Sequence, residues 1–505
     1  MVGTFFLVVQ CQAIFILTGF SVAWHWAAWR RRLGRRKLER RGTARSAYCI
    51  VDARVDDVKG TGYGTSPGRD ASDPHNIIND APRVTVVLPV KRFDTETLVN
   101  WRTQLNSDYV GDLEYIFVVE RETDGAVFGF EQLIRGLRDD GMVVMTKLKS
   151  IKFLGALNVK HYLSSGQSYN RSARLVIAGS STTCSQKIHS MVCGMENASR
   201  NSKLILFLDD DIRTHGNTFG VLVESMIGDK TNKNKPFLSN GFPFDLPCKH
   251  APFTNYLTMV YHLVLLIAFS HGDKCFNVWG GCMMVALDDF RSNKHNILSK
   301  YNLGGYSDDL ILAAMCDEFS ETVKCPFELI FPQRMSVKQS FEQWWNYLRR
   351  QLFVMDTYSS NRNKQINHGM LGVLSYLSFA ATGGMSWGMW RIIVWVFSVL
   401  VYGKDDVVYG DKYNVMLPFL TLFSFVCALR AAKSMYRELG SLSNVLGDKS
   451  AQSEISDIQW WKVGVAFWVT YSIVPVAVVV TVCKNTIEWA GIRYRKRKGK
   501  VVRVA

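Results

Sequence analysis

The sequence predicts a Rossmann-like α/β domain placed between transmembrane helices at both ends of the chain. Short runs rich in β-branched and aromatic residues alternate with amphipathic stretches between residues 83 and 208, a pattern typical of a mostly parallel sheet. Long apolar segments stand before and after this region. The 505 residues are 48% hydrophobic, which fits a soluble domain joined to several membrane spans.

The N-terminal segment is predicted to anchor the protein in a membrane. Residues 1–29 contain no Asp, Glu, Lys or Arg, and eight cations with one acid follow at once in residues 30–41. A cleaved signal peptide normally has its cations before the apolar stretch. We therefore expect an uncleaved signal anchor over residues 1–29, with the N-terminus outside and the next domain in the cytosol. Residues 30–80 would form a basic juxtamembrane segment and a linker.

The α/β domain is expected at residues 81–360. The predicted strands are VTVVLPV (84–90), LEYIFVV (113–119), RLVIAG (174–179) and LILFL (204–208), separated by amphipathic stretches near 95–106, 128–139 and 187–199. The segment 140–172 does not follow this alternation, and we interpret it as an insertion.

One apolar segment inside this domain has no formal charge, at residues 251–272. It can be a membrane span, a buried core helix or a helix lying in the membrane interface. A span would place Asp308 and Asp309 across the membrane from Asp209. We therefore favour the interfacial helix.

The C-terminal third is predicted to contain transmembrane helices over residues 365–484. Residues 369–403 have a single charge and form either one tilted span or a helical hairpin, while 413–429 and 463–483 are charge-free and long enough for one span each. The total is four or five spans. If the basic tail at 485–505 is cytosolic, residues 369–403 must form the hairpin, and the total is then five spans.

Charge and cysteine content exclude several function classes. The net charge is +16, and the clusters at 30–41 and 493–503 account for +14 of it. Both lie beside apolar segments, as the positive-inside rule expects, and the middle of the chain is nearly neutral, so nucleic-acid binding is not predicted. The eleven cysteines are scattered without a C-x-x-C pair, which indicates reduced thiols without a disulfide framework or zinc site.

The stretch LFLDDDIR (206–213) places three carboxylates directly after a predicted buried strand. Open α/β sheets bind ligands at this end of their strands. Asp209 and Asp211 can hold a divalent cation, and such a cation suits a diphosphate. A helix N-cap would explain one of these carboxylates but fits three poorly.

A second acidic pair opens a predicted helix in GGYSDDL (304–310). Capping and the helix dipole favour carboxylates there in any case. Beside a metal-bound donor, Asp308 or Asp309 can act as general base on an acceptor hydroxyl.

Two further stretches are candidate phosphate or acceptor contacts. QWWNYLRRQLFVMDTY (343–358) combines aromatic residues with Arg349 and Arg350, which suits a leaving diphosphate. An interfacial aromatic belt is the rival interpretation. TTCSQKIHS (182–190) places Lys187 and His189 where a strand meets a helix, a usual phosphate position, although a structural role suits His189 better.

With these elements in this order, the chain resembles the ceramide glucosyltransferases, inverting enzymes of the family-2 glycosyltransferases. The resemblance covers residues 83–360, the anchor and the motif IEWAGIRY (487–494). LVIAGSSTTCSQKIHS (175–190) and WNYLRRQLFVMDTY (345–358) look closest to the plant and algal branch. The resemblance implies a GT-A fold, a cytosol-facing site on ER or Golgi membrane, UDP-glucose as donor and ceramide as acceptor among the membrane lipids.

Carried over residue by residue, the first acidic position of the family falls at Glu120, the implied uridine contact, with Asp124 as an alternate. Animal members have Asp one place after Glu120, where this chain has Arg121. The aspartate-x-aspartate motif of the family maps onto Asp209 and Asp211. These two would hold Mg²⁺ or Mn²⁺.

The third and fourth motifs of the family imply the rest of the site. Asp309 would be the catalytic base. In FEQWW (341–345) Trp345 keeps its place, but Trp344 replaces the arginine of the family. Arg349 or Arg350, one helical turn later, would then contact the diphosphate.

Four more residues complete the expected donor site. Gly280 and Gly281 in VWGGCMM would let the backbone approach the sugar closely. Lys187 and Asp308 are expected to contact the nucleotide sugar.

The function expected from this resemblance is transfer of glucose from UDP-glucose to the primary hydroxyl of ceramide, with inversion. A processive β-polysaccharide synthase is a second interpretation, although it needs more spans and an intact Gln-x-x-Arg-Trp. A non-catalytic membrane scaffold with a degenerate glycosyltransferase domain is a third.

Overall fold

The computed structural model describes residues 2–55, 81–139, 153–162, 168–227, 235–272, 275–336, 338–402 and 412–504. Residues 56–80 of the expected juxtamembrane segment and linker, and part of the expected insertion at 140–172, lie outside the described residues.

The described helices are α1 (Val2–Val55), α2 (Thr95–Leu105), α3 (Gly125–Asp139), α4 (Gln186–Glu196), α5 (Thr218–Ile227), α6 (Phe253–Ala268), α7 (Leu287–Arg291), α8 (Ile297–Asn302), α9 (Asp308–Glu318), α10 (Phe341–Val354), α11 (Asn361–Tyr402), α12 (Lys412–Val445), α13 (Lys449–Ser456) and α14 (Trp460–Cys483). The described strands are β1 (Val84–Pro89), β2 (Leu113–Val119), β3 (Phe153–Tyr162), β4 (Ser168–Ile177), β5 (Leu204–Leu208), β6 (Leu238–Asn240), β7 (Phe242–Leu246), β8 (Cys282–Ala286), β9 (Val323–Lys324), β10 (Ile330–Arg334), β11 (Thr486–Trp489), β12 (Ile492–Arg497) and β13 (Lys500–Val504).

The central sheet confirms the predicted α/β class. Over the described residues its order is β3-β4-β2-β1-β5-β8-β6-β9. The strands β4, β2, β1 and β5 are mutually parallel, as the alternation of strands and helices predicts. The expected insertion contributes β3, which pairs antiparallel with β4 at the edge of the sheet.

Both faces of this sheet are covered, which explains why its strands are continuously apolar. Val86 and Leu88 of β1 belong to one core cluster, together with Trp101 of α2. Val87, between them, points to the other face and packs in the cluster that contains Ile188 of α4. The parallel strands therefore end at one common edge, and the polar residues that follow them are brought together.

Four described helices are long and apolar enough to cross a membrane, over Thr4–Arg40, Asn361–Val401, Met416–Val445 and Trp460–Cys483. The first of these belongs to α1, which continues as one helix through the basic residues to Val55. The expected boundary at residue 29 is therefore not a break in the helix. Arg32 and Arg35 pair with Glu438 of α12 at 2.7 and 3.3 Å.

The helical hairpin considered for 369–403 is not formed, and five spans are therefore wrong for the described chain. α11 runs unbroken from Asn361 to Tyr402. Gly384 of this helix serves helix packing, because a Cβ added there would lie 2.3 Å from that of Ala13 in α1. Small residues of this kind allow membrane helices to approach closely.

The apolar segment 251–272 contains the 16-residue helix α6. It packs against α14, where Thr470 and Tyr471 donate to the carbonyls of Leu257 (3.4 Å) and Val260 (3.1 Å). It is shorter than the four helices of spanning length. Its place in a membrane interface stays a prediction.

The last residues form a three-stranded antiparallel sheet, where the charge pattern indicated only a basic tail. In β12 the side chains of Ile492, Tyr494 and Lys496 are buried and those between them are exposed. This alternation with a period of two is the signature of a half-buried strand. The alternation is hard to recognise in the sequence because this segment is rich in cations.

Candidate active site

Three carboxylates follow β5 at the common edge of the parallel strands, as predicted. Gln104 of α2 holds their turn by donating to the carbonyls of Asp209 (3.2 Å) and Ile212 (2.8 Å). The amide of Asp209 donates to the carbonyl of Gly281 at 2.9 Å. The acidic turn is thus fixed from both sides, by α2 and by the start of β8.

Lys187 joins this acidic turn to the second acidic pair. Its Nζ lies 2.9 Å from Asp209 Oδ1 and 3.2 Å from Asp308 Oδ2, and it donates to the carbonyl of Gly280 at 3.2 Å. Ser185 caps α4 two residues earlier by accepting from the amide of Ile188. The structure therefore brings residues about a hundred positions apart in sequence into one cluster, on one side of the sheet.

The charges of this cluster depend on each other. Burial, opposed by the cation of Lys187, raises the pKa of Asp308 to about 7. Burial alone would lower the pKa of Lys187, but the carboxylates of Asp209 and Asp308 outweigh it, and the net shift is upward. Lys187 therefore remains a cation that stabilises two carboxylates in a region of low hydration.

Asp309 lies beside Asp308 but is held by different groups. The amide of Gly280 donates to its Oδ2 at 3.2 Å, the amide of Leu310 donates to its Oδ1 at 2.8 Å, and Ser307 donates to the same oxygen. Its side chain is half-buried, whereas Asp308 is buried. Asp309 is thus fixed in orientation and retains an exposed side.

The predicted metal role of Asp209 and Asp211 stays a prediction, and the electrostatics of Asp211 are compatible with it. Partial loss of hydration and repulsion by Asp209 raise the pKa of Asp211 to about 6, and a cation would relieve this repulsion. The described residues contain no group of three His, Cys, Asp or Glu side chains able to hold a metal. Mg²⁺ is commonly bound by one or two carboxylates, with substrate phosphates and water completing its shell.

Gln333 of β10 also belongs to this site, and its Nε2 donates to Asp211 Oδ2 at 2.8 Å. No motif in the sequence points to it. It comes from a separate two-stranded sheet that β10 forms with β7.

Glu120 follows β2 at the same edge and is buried. Its carboxylate accepts from Ser180 (2.9 Å), from Lys91 (3.3 Å) and from Arg503 (2.9 Å). Burial alone would raise the pKa of Glu120, but these bonds and the nearby cations lower it. Glu120 is therefore ionised and is held by protein groups. Its contact with uridine remains a prediction.

Asp124, the alternate candidate for the uridine contact, forms local hydrogen bonds to the backbone. Its Oδ1 accepts from the amides of Arg92 (2.8 Å) and Ala126 (3.0 Å) at the start of α3. These two bonds do not connect it to the Lys187 cluster.

Gly280 and Gly281 lie close against protein side chains. A Cβ at Gly280 would lie 2.8 Å from Asp308 Oδ2, and one at Gly281 would lie 2.2 Å from the ring of Trp279. These glycines let the backbone pack against protein side chains. A contact with the donor sugar remains a prediction.

The residues in and after the motif FEQWW differ in their surroundings. Trp344 is fully buried, so it cannot take the place of the arginine, while Trp345 is partly buried beside the same core. Arg349 donates to the carbonyl of Thr486 at 3.1 Å. Arg350 stacks over Tyr347 (5.4 Å) and Trp489 (5.2 Å).

None of these contacts joins Arg349 or Arg350 to the acidic turn, so their diphosphate role remains a prediction. Tyr347, under Arg350, bonds to His262, whose other ring nitrogen lies 2.7 Å from Asp245. Sequence reasoning missed this chain of polar groups because its members come from α10, α6 and β7. His189 lies 3.0 Å from the carbonyl of Ala178, consistent with a structural role.

The C-terminal sheet contributes directly to this site. Besides the bond from Arg503 to Glu120, the hydroxyl of Tyr494 accepts from the amide of Gln186 at 3.0 Å, next to Lys187. The amide of Val501 donates to the carbonyl of Gly304 at 3.0 Å, ahead of the second acidic pair. Sequence reasoning assigned this segment no contact of this kind.

Comparisons with known proteins give a structural likeness only. No protein-family model and no curated protein matches the chain. A mannosyltransferase from Pyrobaculum calidifontis, in complex with GDP-Man and Mn²⁺, is 11% identical with a TM-score of 0.38, over 83% of this chain and 99% of that one. Glucosyl-3-phosphoglycerate synthase from Mycobacterium tuberculosis, with Mn²⁺ and UDP-Glc, is 11% identical with a TM-score of 0.30, over 57% and 84%. Likeness at this level carries no argument about activity.

Proposed function

We propose that this chain is a membrane-bound GT-A glycosyltransferase that transfers glucose from UDP-glucose to the primary hydroxyl of ceramide, with inversion. The observation that carries the proposal is the cluster in which Lys187 joins Asp209 to Asp308. It unites the acidic turn after β5 with the acidic start of α9, the two elements expected to bind the donor and to activate the acceptor. Buried carboxylates with perturbed pKa values cluster at functional sites, which favours an enzyme over a scaffold.

The acceptor is inferred from the connection of the site to apolar helices. Arg334 follows Gln333 in β10 and pairs with Asp448, just after α12, at 3.0 Å. α6 joins the domain to α1 through the bond from Trp24 to the carbonyl of Leu263 at 3.1 Å. A lipid whose hydroxyl lies at the membrane surface fits such a site. Ceramide and glucose are specified by the family resemblance.

The reaction would be a single displacement at the anomeric carbon. The hydroxyl oxygen of ceramide forms a bond to that carbon, the bond to the β-phosphate oxygen breaks, and UDP leaves with the electron pair. Asp309 accepts the hydroxyl proton as general base. Asp308 holds Lys187 in place, and Lys187 contributes positive charge beside Asp209.

Asp209 and Asp211 would hold Mg²⁺ or Mn²⁺, which would supply charge neutralisation for the diphosphate. The implied location is ER or Golgi membrane, with the α/β domain facing the cytosol. Partners would be UDP-glucose, ceramide and membrane lipids.

The test is an assay in membranes that contain the full chain, with radiolabelled UDP-glucose, added ceramide and chromatography of the product. We expect labelled glucosylceramide, and only background label when UDP-galactose or GDP-mannose replaces the donor. A long polysaccharide would identify a processive synthase instead. No transfer to any lipid, with donor binding intact, would contradict the proposal.

The metal-binding pair has its own test. We expect Asp211→Ala to lose the Mg²⁺- or Mn²⁺-dependent part of UDP binding, measured by calorimetry on the purified full chain. Asp317→Ala, an exposed carboxylate on α9 that pairs with Arg362, is the control and should bind normally. Unchanged affinity in Asp211→Ala would remove it from the metal site.

A further inference from the structure

The helices after the α/β domain lead away from it and back to it. The contacts between the helix ends and the domain indicate how many of these helices cross a bilayer. α11 begins at the domain, because Asn367 donates to the carbonyl of Thr357 (3.0 Å) and His368 lies 2.8 Å from Asp356. The far part of α11 packs on α12, where a Cβ at Gly388 would lie 3.5 Å from Pro418. α11 therefore leads away from the domain toward the start of α12.

α12 brings the chain back. Its residue Glu438 pairs with Arg32 of α1, in the basic stretch after the N-terminal apolar segment. After α12, Asp448 and Glu454 of the following helix α13 each pair with Arg334 of β10 at 3.0 Å. α11 and α12 are thus one outward and one returning crossing.

α14 starts on the side to which α12 returned. Trp460 packs on Tyr436 near the end of α12, with ring centroids 5.9 Å apart. Lys462 lies over the ring of Tyr256 in α6 at 5.4 Å.

α14 also ends on that side. Three residues after it, the carbonyl of Thr486 accepts from Arg349 of α10 at 3.1 Å. The sheet that follows is bound to the domain by the pair between Lys496 and Asp356 and by the bond from Arg503 to Glu120. A helix of this length that crossed would leave its C-terminal end on the opposite side, about 30 Å away across the hydrocarbon. Both ends of α14 therefore lie at one face of the membrane.

The exposed stripe of α14 is mainly apolar, with Ser472 as a polar position within it. Trp461, Val465, Val476 and Val479 are 67%, 43%, 59% and 63% exposed. The opposite face packs into the core that it shares with α1, α6 and α12. An exposed stripe that is mainly apolar is suited to acyl chains.

We propose that α14 lies in the plane of the membrane, with this stripe in contact with acyl chains of the leaflet nearest the α/β domain. The chain then crosses the bilayer three times, by α1, α11 and α12. The C-terminal sheet is on the same side as the acidic cluster, and the N-terminus is on the other. This inference does not depend on the proposed activity.

Side-specific labelling of the full chain in sealed vesicles tests the number of crossings. Cysteines are introduced one at a time as Thr4→Cys, Asp457→Cys before α14 and Val502→Cys after it. The parent has serine at Cys11, Cys49, Cys193, Cys248, Cys427 and Cys483, retains the five cysteines buried in the described part of the chain, and measures background labelling. We expect an impermeant maleimide to label positions 457 and 502 from the same side and position 4 from the other. Labelling of 457 and 502 from opposite sides would show that α14 crosses and would overturn the proposal.

Nitroxide labels at Val465→Cys, Ser472→Cys and Val479→Cys test the orientation of α14. We expect high collision rates with oxygen and one common depth at all three positions. A crossing helix would change depth by about 10 Å between successive labels, since each residue rises 1.5 Å. Depth steps of that size would overturn the proposal, as would protection from both oxygen and a polar quencher, which would mean that protein covers the stripe.

Discussion

Lys187 is the residue through which the two acidic groups of the site meet. Its neighbours Asp209 and Asp308 come from the end of β5 and the start of α9. Their repulsion is offset by one buried cation and by backbone amides around Asp309. Two adjacent carboxylates thus have different environments, because Asp308 is buried against Lys187 while Asp309 keeps an exposed side. Such a difference usually marks a division of roles.

We expect Asp309→Asn to reduce turnover by about 10²- to 10⁴-fold, the usual contribution of a general base, with UDP binding unchanged. The amide keeps the shape of the side chain but cannot take up the proton. The measurement is kcat for glucosylceramide formation together with UDP affinity. Asp317→Asn on the same helix is the control. Normal turnover in Asp309→Asn would exclude it as the base.

The raised pKa of Asp308 predicts a pH-dependent stability. Because its pKa is near 7 in the folded chain and about 3.9 when unfolded, the folded state binds the additional proton between these values. Stability from this group is therefore present at low pH and is lost as pH rises toward 7, by about 1.4 kcal/mol per pH unit at most. We expect the melting temperature of Asp308→Asn, relative to the parent, to increase from pH 5 to pH 7.5. A constant difference would contradict the assignment.

At the scale of elements, the site depends on how closely β8 approaches α9. The Gly280–Gly281 pair immediately precedes β8 and borders both acidic groups. A Cβ at Gly280 would lie 2.8 Å from Asp308 Oδ2, so any side chain there would require the carboxylate of Asp308 to move. The distance between the two elements is thus set by the absence of a side chain.

Gly280→Ala is expected to lower kcat at least tenfold, because the new methyl group would displace Asp308 and with it Lys187. Gly372→Ala on α11, where an added Cβ meets nothing within 4 Å, is the matched control and should be fully active. Circular dichroism of the purified chain checks that both variants fold. Full activity in Gly280→Ala would show that this close approach is not required.

At the scale of the whole molecule, the two ends of the chain act on the domain between them. α1 and α12 are joined by the pairs of Glu438 with Arg32 and Arg35. The C-terminal sheet reaches back across 383 positions to place Arg503 on Glu120. The membrane helices and the site are therefore parts of one folded body.

Arg503→Ala is expected to weaken UDP binding by about 10- to 150-fold, since a hydrogen bond to a charged group contributes about 1.5–3 kcal/mol. Arg503→Lys should restore part of the affinity, since it keeps the positive charge beside Glu120. Arg495→Ala, an exposed cation of β12, should bind UDP normally. Equal affinity in Arg503→Ala and Arg495→Ala would mean that the C-terminal sheet does not shape the donor site.

The sequence by itself determined the features that depend on local pattern. Alternating strands and helices gave the α/β class, charge-free segments gave the long apolar helices, and Asp209 to Asp211 after β5 gave the acidic turn. Each follows from neighbouring residues, because strand, helix and apolar length are all properties of short windows. Only the tertiary structure decided which distant residues meet: Lys187 with Asp308, Gln333 with Asp211, and Arg503 with Glu120. These contacts depend on the order of the strands and on where the chain returns to the domain. A short stretch of sequence contains no information about either.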